Sequence, residues 1–396
     1  MIIRSVTFYL EEYPPGTRSV SSRLGTIEKT PPGLSNVFTH ALGFRKQRPD
    51  EVIEFQDTQA RPSYLLTLRL ETDGGMSAWT GYASGYSAAE LEWQAKGFLA
   101  QLAPMLKGVD VFDREYIWQR LFTAQRFFYT GRMPVDVVDN ALWDFASRYA
   151  RQPIYRLLGG ARTRVPAYRN IGGPSIGELV EDARRAQAEG FRGVKDHAYL
   201  GARQYAVAAR ELRAAVGPRF PLMHDAVWSY DFNDAVRIGR VLERYEYSWL
   251  EEPLMDYDLL GSKKLCEALD LPIMAMEWIG AVGGQPYTAS AYLALGATDI
   301  VRQRALGITG QIKLAQLAEC FGRKVHGGNP HVVLAITNDD MYEWVGPIVR
   351  RPPESELTVQ GTPILEDGYL TIATGERNTP EPDWDALARR AVGVFA

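Results

Sequence analysis

The fold can be read from residues 221–277, PLMHDAVWSYDFNDAVRIGRVLERYEYSWLEEPLMDYDLLGSKKLCEALDLPIMAME. Three short apolar runs, PLMHD, YSWLE and LPIMAME, are separated by two amphipathic stretches. A short apolar run followed by an amphipathic stretch is typical of a β-strand followed by an α-helix. The stretch therefore predicts consecutive βα units with parallel strands.

The same alternation extends on both sides of this stretch. Apolar or β-rich runs recur at a spacing of roughly 26 residues over most of the region, and they are VPAYRNIG, RGVKDHA, PLMHDAV, YSWLEEP, LPIMAME, TDIVRQR, RKVHGG and MYEWVG. Because crossovers between parallel strands are right-handed, eight such units close most economically into a TIM-type barrel. An open, doubly wound sheet ranks second, since no G-x-G-x-x-G follows an early strand.

Three carboxylates end three consecutive runs. Asp225, Glu251 and Glu277 are spaced 26 residues apart, so each repeats the same phase of its own βα unit. Strand ends meet at the mouth of a barrel, where three converging acids would repel each other unless a cation neutralised them. Oxygen ligands on rigid strands suit Mg²⁺, so we predict a magnesium site. The alternative is that each acid only caps a helix or lies on the surface.

Candidate proton-transfer groups lie near two other strand ends. Lys195 and His197 are two residues apart, so both should face the barrel mouth, and proximity to a dication should lower the pKa of Lys195. His326 is the predicted second acid or base, with His331 as the fallback. The alternative for each is an ordinary surface or core residue.

Further residues are predicted to contact or support the site. Glu343 ends the eighth run and could bind a substrate oxygen or form a rim ion pair. Glu252 should point away from the mouth and brace the ligand Glu251. His224 should pack between strand and helix, and His40 lies in a long loop.

Sequence outside the barrel pattern predicts a second unit. Residues 2–10 and 64–70 read as strands, TDGGMSAWTG as a hairpin turn, and 88–160 as helices. Residues 13–62 are rich in Pro, Gly, Ser and Arg and predict long loops over an active site. We expect domains at 1–130 and 131–355, and we expect the segment 356–396 to return to the N-terminal domain.

Composition narrows the class of protein. The chain has 396 residues, 46% of them hydrophobic, and a formal net charge of −4 without a basic stripe, so neither nucleic acid nor a membrane is an expected partner. No stretch is long and apolar enough for a membrane span. Two cysteines in helical segments favour a reducing compartment, and we predict a cytoplasmic protein.

These residues together resemble the enolase superfamily, and within it the mandelate racemase subgroup of acid-sugar dehydratases and racemases. The similarity lies in ALWDFASRYARQPIYRLLGGARTRVPAY, WLEEP and GITGQIKLAQLAECFG. It implies an α/β fold, a (β/α)7β TIM-type barrel with an N-terminal α+β capping domain completed by the C-terminal segment. It also implies that Asp225, Glu251 and Glu277 bind Mg²⁺, and that the protein is a homo-oligomer, from dimer to octamer.

The chain departs from the family pattern at the proton-transfer positions. Lys195 matches the first Lys of the K-x-K strand motif, but His197 replaces the second. Val301 occupies the place of the Asp that usually partners the seventh-strand His, and Gly328 the place of that His. The His–Asp dyad is therefore absent or rebuilt. Arg302 and Arg304 on the sixth strand disfavour a paired-lysine mechanism, because Arg is a poor base.

The implied chemistry is Mg²⁺-dependent abstraction of the proton α to a carboxylate through an enediolate. Dehydration of a sugar acid, a hydro-lyase reaction, is favoured, because polar strand-end residues suit a hydroxylated anion. The predicted substrate contacts are Tyr168, Asn170, Arg302, His331 and Glu343. The alternatives are a racemase or epimerase of a 2-hydroxy acid, which is an isomerase, and a non-catalytic binder that has lost its acid–base pair.

Overall fold

The computed structural model of the protein describes residues 1–14, 62–85, 87–173, 175–198, 200–304, 306–345, 363–372 and 382–396. The predicted loops over 13–62 lie almost wholly outside the described residues, and so does His40.

Fourteen strands are formed by the described residues. They are β1 (Ile3–Tyr13), β2 (Ser63–Thr72), β3 (Ser77–Gly85), β4 (Val165–Ile171), β5 (Val194–Asp196), β6 (Leu222–Asp225), β7 (Trp249–Glu251), β8 (Ile273–Ala275), β9 (Ile300–Arg302), β10 (Lys324–His326), β11 (Tyr342–Glu343), β12 (Pro363–Glu366), β13 (Tyr369–Ile372) and β14 (Gly393–Phe395).

The helices of the described residues are α1 (Ala88–Gln101), α2 (Ala103–Leu106), α3 (Arg114–Phe128), α4 (Met133–Ala150), α5 (Ile154–Leu157), α6 (Ile176–Ala188), α7 (Ala202–Val216), α8 (Phe232–Arg244), α9 (Leu259–Ala268), α10 (Glu277–Ala281), α11 (Ala289–Leu295), α12 (Gly307–Cys320), α13 (Pro330–Ala335) and α14 (Trp384–Arg390).

An antiparallel sheet in the order β14-β1-β2-β3 forms the N-terminal unit together with α1–α4. Alternation along β1 buries Val6, Phe8 and Leu10 against these helices, as expected for a sheet with one covered face. The C-terminal strand β14 pairs with β1, with Tyr9 opposite Val394, so the two ends of the chain share one sheet.

The barrel consists of β4–β11, whose strands are the eight predicted runs. Parallel pairing runs from β4 to β10 in chain order, and β11 pairs with β4. Between β10 and β11 no strand ladder forms, and the connection there is the hydrogen bond from the Val325 N–H to the Asn338 carbonyl, 2.9 Å. The ring order, with the last strand beside the first, excludes the doubly wound sheet and confirms the predicted fold.

Strand alternation sorts the side chains of the barrel into layers. One layer of the interior is apolar and contains Tyr168, Met223, Trp249, Met274, Ile300 and Met341. Because side chains on one face of a strand recur every second residue, residues two positions further on reach the mouth. The helices surround the strands and bury their apolar faces against them, as α8 does with Ala235, Ile238 and Leu242.

Helix α4 joins the two units. It packs on β3 and on the barrel helix α12, whose first turn it caps with side-chain carboxylates. Asp136 accepts a hydrogen bond from the Gly307 N–H, and Asp139 accepts from the Thr309 N–H and hydroxyl. These contacts fix the N-terminal unit beside the barrel, while the domain boundaries given above remain predictions.

None of the helices in the described part of the chain has the length and apolar character that a membrane crossing requires.

Candidate metal and active site

Asp225 and Glu251 reach the barrel mouth by simple strand alternation. Each lies two residues after a member of the apolar interior layer, Met223 on β6 and Trp249 on β7. The two acids are also register partners across the β6–β7 pair. Both are buried, with Glu251 fully so.

Glu277 arrives by a different route, which corrects the prediction that all three acids share one strand phase. Strand β8 ends at Ala275, and Met276 adopts a left-handed backbone (φ 87°) that turns Glu277 inward as the first residue of α10. Glu252 supports Glu277 rather than the predicted Glu251: its carboxylate accepts from the Glu277 N–H at 3.1 Å. Asp256 likewise accepts from the Met276 N–H at 2.8 Å.

The three carboxylates come together. One oxygen from each of Asp225, Glu251 and Glu277 lies within 4.8 Å of the other two, and all three residues are buried. The Oε1 atom of Glu251 is buried and accepts no hydrogen bond of acceptable geometry. Three oxygen donors on rigid elements, one of them without a hydrogen bond, fit a Mg²⁺ ion.

Cationic side chains surround these acids. Lys195 Nζ lies 2.8 Å from Glu251 Oε2 and 3.3 Å from Asp225 Oδ2. Arg304 pairs with Glu277. Burial would raise the pKa of Glu277, but Arg302 and Arg304 outweigh it and lower that pKa to about 2. Glu277 is therefore ionised at neutral pH, as a metal ligand must be.

The charge on Lys195 depends on the carboxylates around it. Burial would lower its pKa, but the carboxylates of Glu251, Glu343 and Asp225 raise that pKa well above the usual value. A bound dication would act against this shift by offsetting the same carboxylates. The predicted lowering of this pKa by a dication, and the role of Lys195 as a base, therefore stay predictions.

His197 lies at the mouth beside the carboxylates. Its Nε2 is 3.1 Å from Asp225 Oδ2, which leaves Nδ1 as the nitrogen that can exchange a proton with a substrate. Burial would lower the pKa of this imidazole, but Asp225 outweighs it and raises it. The side chain remains about one fifth exposed, so a substrate can reach it.

His326, the predicted second acid or base, is held by two partners inside the protein. It is buried in the barrel, with Nδ1 3.0 Å from Asp339 Oδ1 and Nε2 2.8 Å from the Tyr168 hydroxyl. Both ring nitrogens are therefore engaged within the protein. The dyad is rebuilt, with Asp339 in place of the usual sixth-strand Asp.

Two predicted substrate contacts are also placed elsewhere. Tyr168 is fully buried in the interior layer, below Lys195, whose Nζ lies 5.8 Å from the centre of its ring. His331 is in α13, where its ring stacks on Tyr155 and its Nδ1 accepts from the Tyr155 N–H. The sequence misplaced Tyr168 because alternation gives the face of a residue but not its depth in the barrel. His331 was misplaced because the chain has already entered α13 at that position.

The remaining predicted substrate residues do gather at the mouth. Asn170 Nδ2 donates to Glu343 Oε1 at 2.9 Å, and the other Glu343 oxygen lies 2.5 Å from Arg302 Nη2. Asn170 is exposed, so its amide is available to a hydroxylated ligand. Lys195 and Arg302 lower the pKa of Glu343 well below its usual range, although burial opposes this.

A second polar network lies behind the strands. Asp196 accepts from the Tyr205 hydroxyl at 2.7 Å and binds His224 Nδ1 at 2.9 Å, while His224 Nε2 lies 2.7 Å from the Tyr230 hydroxyl. His224 therefore packs between strand and helices, as expected.

Asp256 and Asp339 were missed from the sequence, where each is an ordinary acid in a loop with no periodic signal.

Comparison with known proteins agrees with this geometry. The model of the enolase C-terminal domain-like family matches residues 178–377, and that of the mandelate racemase / muconate lactonizing enzyme N-terminal domain matches 46–159. This chain belongs to the enolase superfamily, in its mandelate racemase subgroup. The predicted family membership is thereby confirmed.

Similar proteins in this superfamily include sugar-acid dehydratases. The L-talarate/galactarate dehydratase of Salmonella typhimurium is 30% identical over 69% of this chain and 70% of its own length. The L-rhamnonate dehydratase of Saccharopolyspora erythraea is 28% identical over 71% of this chain and 73% of its own length. The structure of D-glucarate dehydratase from Agrobacterium tumefaciens, complexed with magnesium, is 26% identical, covers 99% of this chain and 100% of its own, and superposes with a TM-score of 0.75.

Proposed function

We propose that this protein is a Mg²⁺-dependent hydro-lyase that dehydrates a sugar acid. The observation that carries the proposal is the convergence of Asp225, Glu251 and Glu277 beside the imidazole of His197. The similar dehydratases support this reaction class, and the magnesium-bound relative supports the metal. The substrate belongs to the class of small-molecule carboxylates, and we propose that it is a sugar acid.

Asp225, Glu251 and Glu277 would hold the ion. Bound Mg²⁺ would polarise the substrate carboxylate and stabilise the negative charge of the enediolate. Lys195, buried beside Glu251 and Asp225, would in its protonated form add positive charge beside the developing anion. Asn170 and Glu343 would bind substrate hydroxyl groups at the rim.

His197 would act as the base. Its Nδ1 accepts the α-proton, and the resulting imidazolium can return that proton to a β-hydroxyl on the same face of the substrate, which leaves as water. The enol that results converts to a 2-keto acid. His326 is not needed at the mouth in this scheme, and it acts as a positioning residue inside the barrel.

The arrangement favours dehydration over racemisation. A racemase needs two proton-transfer groups on opposite faces of one carbon. Among the described residues, the two candidates beside the metal-site carboxylates, Lys195 and His197, both come from the end of β5. A non-catalytic binder is disfavoured because the ligand set and an accessible base are both present. The predicted compartment, the cytoplasm, and a homo-oligomeric state remain predictions.

The test is a screen of mono- and diacid sugars for 2-keto acid formation with Mg²⁺ and with EDTA, followed by NMR of α-proton exchange in D₂O. We expect at least one acid to react only with Mg²⁺, and His197→Ala to abolish both exchange and turnover. Absence of turnover and exchange across the panel would favour a binder. Exchange with inversion but without water loss would favour the racemase.

A further inference from the structure

Arg302 lies on the same carboxylates that would hold the metal. Its Nε is 2.9 Å from Glu251 Oε1 and 3.4 Å from Glu277 Oε2. Its Nη2 is 2.5 Å from Glu343 Oε2, and the side chain is only 3% exposed. A guanidinium therefore contacts two of the three acids of the metal set from within the barrel.

The backbone makes room for this guanidinium. Gly327, directly after β10, has φ 87°, and a Cβ built on it would lie 1.7 Å from Arg302 Nη1. The Nη1 atom is buried and has no hydrogen-bond partner among the described residues. A buried donor without a partner costs stability, so the position of Arg302 is held by its ionic contacts rather than by complete hydrogen bonding.

The contact with Glu251 is ionic rather than a well-formed hydrogen bond. Glu251 Oε1 accepts no hydrogen bond of acceptable geometry although Arg302 Nε is close, whereas Oε2 accepts from Lys195 at 2.8 Å. A metal can therefore bind Oε1 only by replacing this ionic contact. A dication at that oxygen and a guanidinium at the same place repel each other strongly in a buried site.

We propose that Arg302 is a built-in competitor of Mg²⁺, which neutralises Glu251 and Glu277 when they hold no metal and gives way when the ion binds. The inference rests on the proposed function only for the use of Mg²⁺ at this set of acids. It assigns to Arg302 a role in setting metal affinity, separate from any contact with substrate.

Arg304 offers a matched comparison. Among the described residues its one ion pair is with Glu277, and its side chain is one third exposed. Because water can solvate that guanidinium once the metal takes Glu277, its removal should change metal affinity much less than removal of the buried Arg302.

The experiment is isothermal titration calorimetry of Mg²⁺ into the wild type, Arg302→Gln, Arg302→Lys and Arg304→Gln. We expect Arg302→Gln to bind Mg²⁺ about tenfold or more tightly than the wild type, and Arg302→Lys, which keeps the charge, within about threefold of it. Arg304→Gln should show a smaller gain than Arg302→Gln. Equal or weaker binding by Arg302→Gln would overturn the proposal and make Arg302 a scaffold for the acids.

Thermal unfolding with and without Mg²⁺ covers the case in which Arg302→Gln is unstable. Removal of the guanidinium leaves buried acids uncompensated, so this variant should melt lower than the wild type in EDTA and gain more from saturating Mg²⁺. A variant that fails to fold even in saturating Mg²⁺ would contradict the proposal, because the ion should replace the lost charge. If the wild type and all variants bind no Mg²⁺, the proposed function itself fails; if all bind it equally, only the role of Arg302 fails.

Discussion

His326 Nδ1 lies 3.0 Å from Asp339 Oδ1 across the part of the barrel where β10 and β11 form no strand ladder. This side-chain contact joins the two strands at that place, together with the hydrogen bond from the Val325 N–H to the Asn338 carbonyl. With Asp339 accepting the Nδ1–H, Nε2 is left to accept from the Tyr168 hydroxyl at 2.8 Å. The His326–Asp339 pair therefore stabilises the barrel between β10 and β11.

Tyr168→Phe tests this interpretation. Loss of the hydroxyl leaves His326 Nε2 buried without its partner, so we expect the free energy of unfolding to fall by about 1–3 kcal/mol in urea denaturation. Calorimetric Mg²⁺ affinity should stay within about threefold of the wild type, since the ring under Lys195 remains. Tyr149→Phe, at an exposed position, is the control. Unchanged stability with weakened substrate binding would instead restore the sequence-based role of Tyr168 as a substrate contact.

Glu251→Gln tests the metal set. The side chain is fully buried between Lys195 and Arg302, and an amide binds Mg²⁺ more weakly than a carboxylate does. We expect Mg²⁺ binding in calorimetry to weaken by at least about tenfold, with loss of Mg²⁺-dependent turnover. The matched control is Glu267→Gln, because Glu267 is exposed and pairs with Lys263 on the surface of α9. Unchanged affinity would remove Glu251 from the ligand set.

Gly327→Ala tests the close approach of Arg302. The substituted residue would keep a left-handed backbone, and its Cβ would overlap Arg302 Nη1. Backbone strain and overpacking should therefore both lower the free energy of unfolding. Gly322→Ala is the control, because Gly322 also has a positive φ (67°) but nothing lies within 4 Å of its Cβ position. We expect Gly322→Ala to lose about 1 kcal/mol of unfolding free energy and Gly327→Ala at least about 2 kcal/mol more. Equal losses would show that Arg302 moves aside without cost.

Asp139→Asn tests a pH effect at the junction of the two units. Burial raises the pKa of Asp139 to about 7, from a usual value of 3.8, although Thr309 opposes this. The folded protein therefore binds this proton more tightly than the unfolded chain, and the stabilisation is lost as the pH rises from about 4 to 7.

The variant cannot ionise, so its unfolding free energy relative to the wild type should increase by up to about 4 kcal/mol between pH 4 and pH 8. Urea denaturation at several pH values measures the difference, and exposed Asp234→Asn should show no such trend. A difference that is flat with pH would mean that Asp139 stays ionised throughout, held by the first turn of α12.

Local sequence determined the fold and half of the site. The eight apolar runs became β4–β11 because a buried strand needs only a short apolar stretch, and the period of two placed Asp225 and Glu251 at the mouth. Asn170 on β4 and His197, directly after β5, follow the same rule. These features depend on residues that are close together in the sequence, so a single sequence is enough to predict them.

The tertiary structure decided what depends on depth and on distant partners. Glu277 reaches the mouth through the left-handed Met276 rather than by strand phase, and His326 finds its partners Tyr168 and Asp339 at distant positions in the sequence. Arg302 acquires its contacts because Glu251, Glu277 and Glu343 converge from three other strand ends. Periodicity fixes only the face on which a side chain lies, whereas depth and pairing arise when the closed ring of strands sets the distances between residues far apart in sequence.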